Sequence, residues 1–283
     1  AIEDLVYNPG VSPLELVTPT TVARVGQFFS TVSRQVRKKI KSPRLIKILE
    51  FPVLFLGAKP SNTPAFYNFM NYADFGLGTW HPEGGMYSVV EGMKKLAEEL
   101  GVVFETNSDV EKIIVKNGKV TGLKVNGQNI STNLVLSGAD YHHTETLLDQ
   151  QYRQYSESYW SKKTFAPSSL LFYVGFDKKL KNVHHHTLFF DTDFEEHAVE
   201  IYDDPKWPTA PLFYANFTSL TDPNSAPEGK ENGFFLIPLA TDLEDTEELR
   251  SKYFHVIMDR FEKITNQEVR NSIIFKESFC VND

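Results

Sequence analysis

Gly76-Leu-Gly-Thr-Trp-His-Pro-Glu-Gly-Gly85 runs straight into Met86-Tyr-Ser-Val-Val-Glu-Gly-Met-Lys-Lys-Leu-Ala-Glu-Glu-Leu100-Gly101. In the second half, apolar residues recur at Met86, Val89, Val90, Met93, Leu96, Ala97 and Leu100, while Glu91, Lys94, Lys95, Glu98 and Glu99 fall between them. That spacing predicts an amphipathic helix. Gly101 suits the left-handed position that ends one, and Val102-Val-Phe-Glu-Thr106 then reads as a buried strand. Gly84 and Gly85, just before the helix, let backbone N–H groups approach a flat or anionic ligand that a Cβ would hold off. A tight turn needing positive φ accounts for the same two glycines and stays open.

Outward from this stretch the chain changes character twice. Ser12-Pro-Leu-Glu15 has capping-box spacing with proline at the first helical position. From Thr20 to Lys41, Val22, Val25, Phe28, Phe29, Val32, Val36 and Ile40 mark a second amphipathic helix, basic at its far end through Arg34, Arg37, Lys38, Lys39, Lys41 and Arg44. Such a helix settles on anionic lipid or forms a solvated, salt-bridged surface. The apolar run at residues 45–56 is too short to span a bilayer, leaving a buried helix or shallow insertion into one leaflet. Ala65-Phe-Tyr-Asn-Phe-Met-Asn-Tyr72 resumes helix, with Phe66 and Phe69 in an aromatic group that is either core or ligand-facing.

Beyond the glycine turn the pattern becomes β. Val110, Ile113, Ile114 and Val115 lead to Asn117-Gly118, and Val120, Leu123 and Val125 to Asn126-Gly127, both strong hairpin turns. Three short strands in a meander follow, closing at Ser137-Gly-Ala-Asp140. Strands are also expected at 168–176, 186–190, 211–217 and 233–239, with helices at 194–202 and 245–265. The fold class is therefore α/β, a mixed sheet backed by helices. Its phenylalanine-rich strands suit either a long apolar ligand or an ordinary core.

A net charge of −8 argues against nucleic-acid binding. The single cysteine, Cys280, excludes a disulfide framework and fits a reducing compartment. No apolar run reaches the ~20 residues of a membrane span. A cytoplasmic, peripherally membrane-associated protein is the expectation. Among eight histidines, His184-His-His186, His142-His143 and His197 beside Glu195-Glu196 invite a metal reading, but none matches a ligand spacing with its own mechanism, so no metal is expected. The histidine triplet is expected to end a loop and begin a strand. No G-x-S-x-G elbow of a serine hydrolase occurs.

Gly78-Thr-Trp-His-Pro-Glu-Gly-Gly-Met86 with its helix, Asn107-Ser-Asp-Val-Glu-Lys-Ile113, Leu136-Ser-Gly-Ala-Asp140, His185-His-Thr-Leu-Phe-Phe190, Ala226-Pro-Glu-Gly229 and the helix from Asp245 occur in that order. Together they resemble the bacterial phytoene desaturase family, flavoproteins of the amine-oxidase-like group that dehydrogenate carotenoid precursors. The resemblance covers nearly the whole chain. It implies an amine-oxidase-like fold, with residues 1–75 as a helical part covering substrate and touching the membrane through about residues 20–57. Residues 76–145 would be part of a Rossmann-like FAD-binding domain, and 146–283 a substrate-binding sheet domain.

The resemblance further implies FAD contacts at Gly84, Gly85, the backbone of Val110, Gly138 and Ala139. The substrate would be a C40 carotene such as phytoene, held near Phe66, Phe69 and Trp80; Trp80 suits substrate or flavin stacking, or core packing. Asp74 and His81 are the polar groups placed nearest the flavin, as acid/base, orienting or turn-capping residues. The electron acceptor is not legible. Related readings are a desaturase or isomerase of another carotenoid, such as a hydroxycarotenoid 3,4-desaturase, and a non-catalytic lipid-binding module. The family's G-x-G-x-x-G turn, which cradles the FAD pyrophosphate, occurs nowhere in these 283 residues. The expectation is thus the central part of a longer enzyme, not binding FAD tightly by itself.

Overall fold

The computed structural model describes Tyr7, residues 11–163 and residues 165–283. Two compact units form: residues through Ser88 together with Ala166–Asp283, and Val89–Phe165.

The first unit opens with short helical pieces. Ser12 and Glu15 make the expected capping box around one 3₁₀ turn, Pro13–Leu16. The long helix expected from Thr20 to Lys41 is broken instead: α1 covers Pro19–Ala23 and α2 Val32–Lys39. The cause is backbone pairing between the intervening turn and a later loop. Ala65 N–H donates to Ser30 O and Val32 N–H to Thr63 O, while Thr31 caps α2 by accepting from Arg34 N–H. α3 (Pro43–Glu50) stops where Pro52 cannot supply an N–H, and the chain tightens to 3₁₀ over Phe51–Leu56. Val32, Val36 and Val53 form a small core. Phe51 and Val53 are buried whereas Leu45 and Ile48 are exposed, so the apolar run divides between inside and outside. Arg37 anchors this region with two hydrogen bonds, 2.9 and 3.0 Å, to the buried Glu50. After α4 (Phe69–Tyr72), residues Ala73–Leu77 form a π-helical turn.

α5 (Met86–Glu99) ends with Gly101 at φ +88° as expected, but its apolar side, including Met93 and Leu96, is exposed. The strand expected at Val102–Thr106 does not form. A strand exists only by pairing, and no described strand pairs with this stretch. The meander does form: β1 (Val110–Lys116), β2 (Lys119–Val125) and β3 (Gln128–Ser131). Asn117 and Gly118, at φ +49° and +72°, make the first of its turns. α6 (Tyr141–Thr146) is capped by the Asp140 side chain, and α7 (Glu157–Trp160) by Ser156.

The remaining strands return to the first unit. β4 (Ser168–Phe176), β5 (His186–Phe189), β6 (Phe213–Asn216), β7 (Glu231–Leu239) and β8 (Ile273–Phe279) lie in the order β5-β6-β7-β4-β8. Every described pairing is antiparallel, where a mixed sheet was expected. β8 has no counterpart in the sequence reading, because Lys276 and Glu277 interrupt its apolar pattern. Between strands lie α8 (Phe194–Tyr202) and α9 (Glu247–Thr265), both as anticipated. One face of the sheet is dry: Leu170, Phe172, Val174, Phe235, Ile237 and Ala215 pack with Phe254, Ile257, Met258 and Phe261 of α9. Each of these side chains larger than alanine stabilises the fold by about 1.5–3 kcal/mol on burial.

His197 of α8 is buried beside this sheet. Leu212 N–H donates to its Nδ1 at 3.0 Å, so the ring proton sits on Nε2 and donates to Pro238 O at 2.9 Å. Burial holds its pKa below the usual histidine value, with the Pro238 bond opposing. The unfolded chain therefore takes up this proton first as pH falls. The stability contributed is fully present above about pH 6.5 and declines below it, down to the folded-state pKa. Urea midpoints at pH 7.5 and 5.5 are expected to be lower at 5.5. His197→Gln should flatten part of that slope, while His185 and His186, also lowered by burial, keep the rest. An unchanged slope would place the linkage elsewhere.

Candidate active site on the open face of the sheet

The sheet's second face is not covered in the same way. Directly paired residues share a face, so the registers assemble it. Leu171 pairs with Leu236 and Phe279, Tyr173 with Phe234 and Glu277, and Tyr214 with Leu236 and Leu188. Asn216 sits between Phe234 and His186, and Gly175 between Asn232 and Phe275. The result is an aromatic and aliphatic platform, half open to solvent, with polar residues at one end. Tyr173 and Phe234 rings are 5.1 Å apart, Tyr214 and Phe234 6.2 Å. A cleft of about 360 Å³ opens between Tyr173, Phe234, Phe275, Asn216, Thr218 and Asn232.

A histidine cluster adjoins the polar end. His185 and His186 stack with centroids 4.6 Å apart, and His81 meets His185 edge-on at 4.8 Å. His185 Nδ1 bonds Thr221 Oγ1 at 2.8 Å, and His186 Nδ1 bonds the Tyr214 hydroxyl. Asp222 is buried; its Oδ2 accepts from Gly84 N–H at 3.1 Å and lies 3.8 Å from His81 Nε2. Gly84 and Asp222 thus fasten the glycine turn beside the sheet. The Nε2 atoms of His81 and His185 are buried without a hydrogen-bond partner. Burial, then the neighbouring His186 and His81, push the His185 pKa down. His186 is lowered by burial and then His81, with the Asp74 carboxylate pulling the other way.

His81 is therefore brought into this cluster, and Asp74, in the π turn, acts on it electrostatically while accepting a 3.3 Å bond from Thr79. Trp80 is 86% exposed with Nε1–H donating to Leu77 O, so its core-packing alternative does not hold. Phe66 stacks on Phe28 at 5.0 Å and meets Phe69 edge-on at 5.6 Å, an aromatic group of the helical part. His186 begins β5, as read from the sequence. Among the described residues no group of three His, Cys, Asp or Glu is placed to hold a metal. Asp222, Tyr214 and Asn216 escaped the sequence reading. Only the two-residue alternation across β6, which puts Tyr214 and Asn216 on the face opposite Phe213 and Ala215, hinted at two of them.

Both glycines of the turn adopt positive φ, +81° at Gly84 and +85° at Gly85. Their N–H groups are engaged internally, by Asp222 and by Pro82 O at 3.0 Å, so they are not free donors for an anion. What the turn offers is close approach, because a Cβ on Gly85 would meet nothing within 4 Å. In the second unit, Val110 pairs with Val125 at the start of β1, and Gly138 likewise has open space where a Cβ would stand. Ala139 N–H turns back to Ser137 Oγ.

Residues 14–275 match the family of flavin containing amine oxidoreductases. The chain belongs to that family. FAD is the cofactor that flavin containing amine oxidoreductases imply, and the open backbone at Gly85 fits the close approach of a flat ring. The chain is 38% identical over 265 residues to the carotenoid 3,4-desaturase of Haloarcula japonica, covering 93% of this chain and 54% of that protein. It is 27% identical to the zeta-carotene-forming phytoene desaturase of Myxococcus xanthus, over 85% of this chain and 48% of that protein. It is 28% identical to a 1-hydroxycarotenoid 3,4-desaturase of a Flavobacterium species, over 84% and 49% respectively. The chain spans about half the length of these curated relatives. In fold it is similar to an oxidoreductase of Methanosarcina mazei, with a TM-score of 0.63 at 18% identity over 94% of this chain and 62% of that one. No helix among the described residues is long and apolar enough to cross a membrane.

Proposed function

We propose that this protein serves an FAD-dependent desaturation of a carotenoid, with the polyene lying on the open face of the sheet. The observation that carries the reading is the platform of Leu171, Tyr173, Tyr214, Phe234 and Leu236, which offers dispersion contacts along its length, with His186, Asn216 and Asn232 at one end and Glu277 on the edge strand. A long polyene needs such dispersion contacts. The 38% identity to a carotenoid 3,4-desaturase favours a later carotenoid over phytoene as substrate; the similarity to a phytoene desaturase keeps phytoene as the alternative.

FAD, when bound, takes up the hydride lost from one carbon of the reacting bond. The proton lost from the neighbouring carbon is this chain's concern. His81, whose Nε2 lies 3.8 Å from the Asp222 carboxylate, is the group proposed to take it, with Asp74 proposed to orient the turn through the bond it accepts from Thr79. Gly84 and Gly85 are proposed to border the flavin, and Val110, Gly138 and Ala139 of the second unit its adenine end. Phe66, Phe69 and the exposed Trp80 are proposed to border the substrate's path.

A lipid surface is the proposed source of so insoluble a substrate. Arg34, Lys38, Lys39 and Arg44 make no ion pair among the described residues, and Phe29, Leu45 and Ile48 beside them are exposed. Anionic lipid suits that pairing of charge and apolar side chains. The test is to incubate the full-length protein with FAD and either phytoene or a later acyclic carotene in anionic liposomes. Red-shifted absorption from the later carotene is expected, together with flotation that weakens as salt is raised. Absence of any new double bond from either substrate would sink the reading.

A further inference from the structure

Resting on the desaturase reading, the geometry points to His186, held by Tyr214 and Asn216, as a recognition site for a hydroxyl group at the end of the carotenoid. Beside Leu171, Tyr173, Phe234 and Leu236, and away from Glu277 on the edge strand, these three residues gather mutually bonded polar groups at one spot. Asn216 Nδ2–H donates to both His186 Nδ1, at 3.2 Å, and the Tyr214 hydroxyl, at 3.1 Å. The Tyr214 hydroxyl in turn bonds His186 Nδ1.

The tautomer follows from counting donors. An amide N–H can only donate, so His186 Nδ1 is the acceptor, its one lone pair shared between Asn216 and the Tyr214 hydroxyl, and the proton of the neutral ring resides on Nε2. Burial, which lowers the His186 pKa, favours that neutral form. No described residue bonds His186 Nε2, and the residue is exposed at the start of β5. The triad therefore fixes the ring by one nitrogen and presents an N–H from the other. That donor suits an oxygen acceptor, and a polyene with a terminal hydroxyl brings one while its hydrocarbon runs over Tyr214 and Phe234. A plain hydrocarbon end would leave the N–H unpaired and displace its water without replacement, a loss that discriminates more strongly than added apolar contact does.

The experiment compares an acyclic carotene with its end-hydroxylated derivative, each presented in liposomes to the protein supplied with FAD. Two quantities are read: the KM ratio for desaturation and the ratio of binding constants from quenching of tryptophan emission. The hydroxylated compound is expected to be favoured on the order of tenfold, the worth of one hydrogen bond. His186→Leu should erase the preference, read as the ratio between the two carotenoids whatever the variant does to the rate with either. His186→Gln, whose amide nitrogen reaches the place of Nε2, should retain most of it. Equal treatment of the two carotenoids by the unaltered protein, or a preference that survives His186→Leu, overturns the assignment. If neither compound is converted, the desaturase reading fails, and the binding ratio still decides whether His186 selects the hydroxyl.

Discussion

Replacing Phe261 with alanine is expected to lower the stability of the sheet-bearing unit by about 3–5 kcal/mol, the cost typical of emptying a large aromatic site in a closed core. Phe261 of α9 is fully buried, and its ring lies 5.5 Å from Phe235, 5.8 Å from Phe217 and 5.9 Å from Phe189. Those three rings stand on or beside separate strands, so the vacancy cannot close by moving one neighbour. Since domains are typically stable by only 5–15 kcal/mol, the variant should be close to unfolding at body temperature. Urea denaturation followed by far-ultraviolet circular dichroism gives the number. A loss below ~1 kcal/mol would mean that α9 does not seal the dry face.

The second large effect is on turnover. His81→Leu removes the proposed proton acceptor, and kcat is expected to fall about a hundredfold, the lower part of the range for losing a general base. KM should change little, since the platform residues remain. Asp222→Asn separates two roles: its amide oxygen can still accept from Gly84 N–H and keep the turn seated, but it no longer balances a charged His81. An intermediate kcat with normal stability is expected there. Equal kcat for His81→Leu and the unaltered protein would remove His81 from the chemistry.

Much of the architecture was legible because local chemistry decided it. β4 and α8 have the limits the pattern indicated, and the Asn-Gly pairs at 117–118 and 126–127 close hairpins because those residues tolerate positive φ. Where the reading failed, long-range partners had overruled periodicity. The helix from Thr20 breaks because Ser30 and Val32 find backbone partners in residues 63–65, which no local pattern records. Val102–Thr106 has the composition of a strand without a described neighbour to pair with. β8 was missed since an edge strand may carry Lys276 and Glu277 at little cost once β4 supplies its hydrogen bonds.

The candidate site divides the same way. His81 and the glycine turn stood out by composition, whereas Asp222 is one aspartate among many in the sequence until the fold carries it to Gly84. The resemblance to carotenoid desaturases supplied the flavin. It gave no sign of the triad of His186, Tyr214 and Asn216, whose members come together only through the pairing of β5 with β6.

The sheet leaves its two faces one residue apart. Phe234 lies between Gly233 and Phe235, and a Cβ at Gly233 would come within 3.0 Å of both Phe176 and Phe235. A side chain added at Gly233 therefore displaces the rings of Phe176, Phe217 and Phe235, or the strand that carries Phe234 and Leu236 in front. The shape of the open face is in that sense written partly in residues on the reverse of the sheet, which a ligand on the open face would not touch.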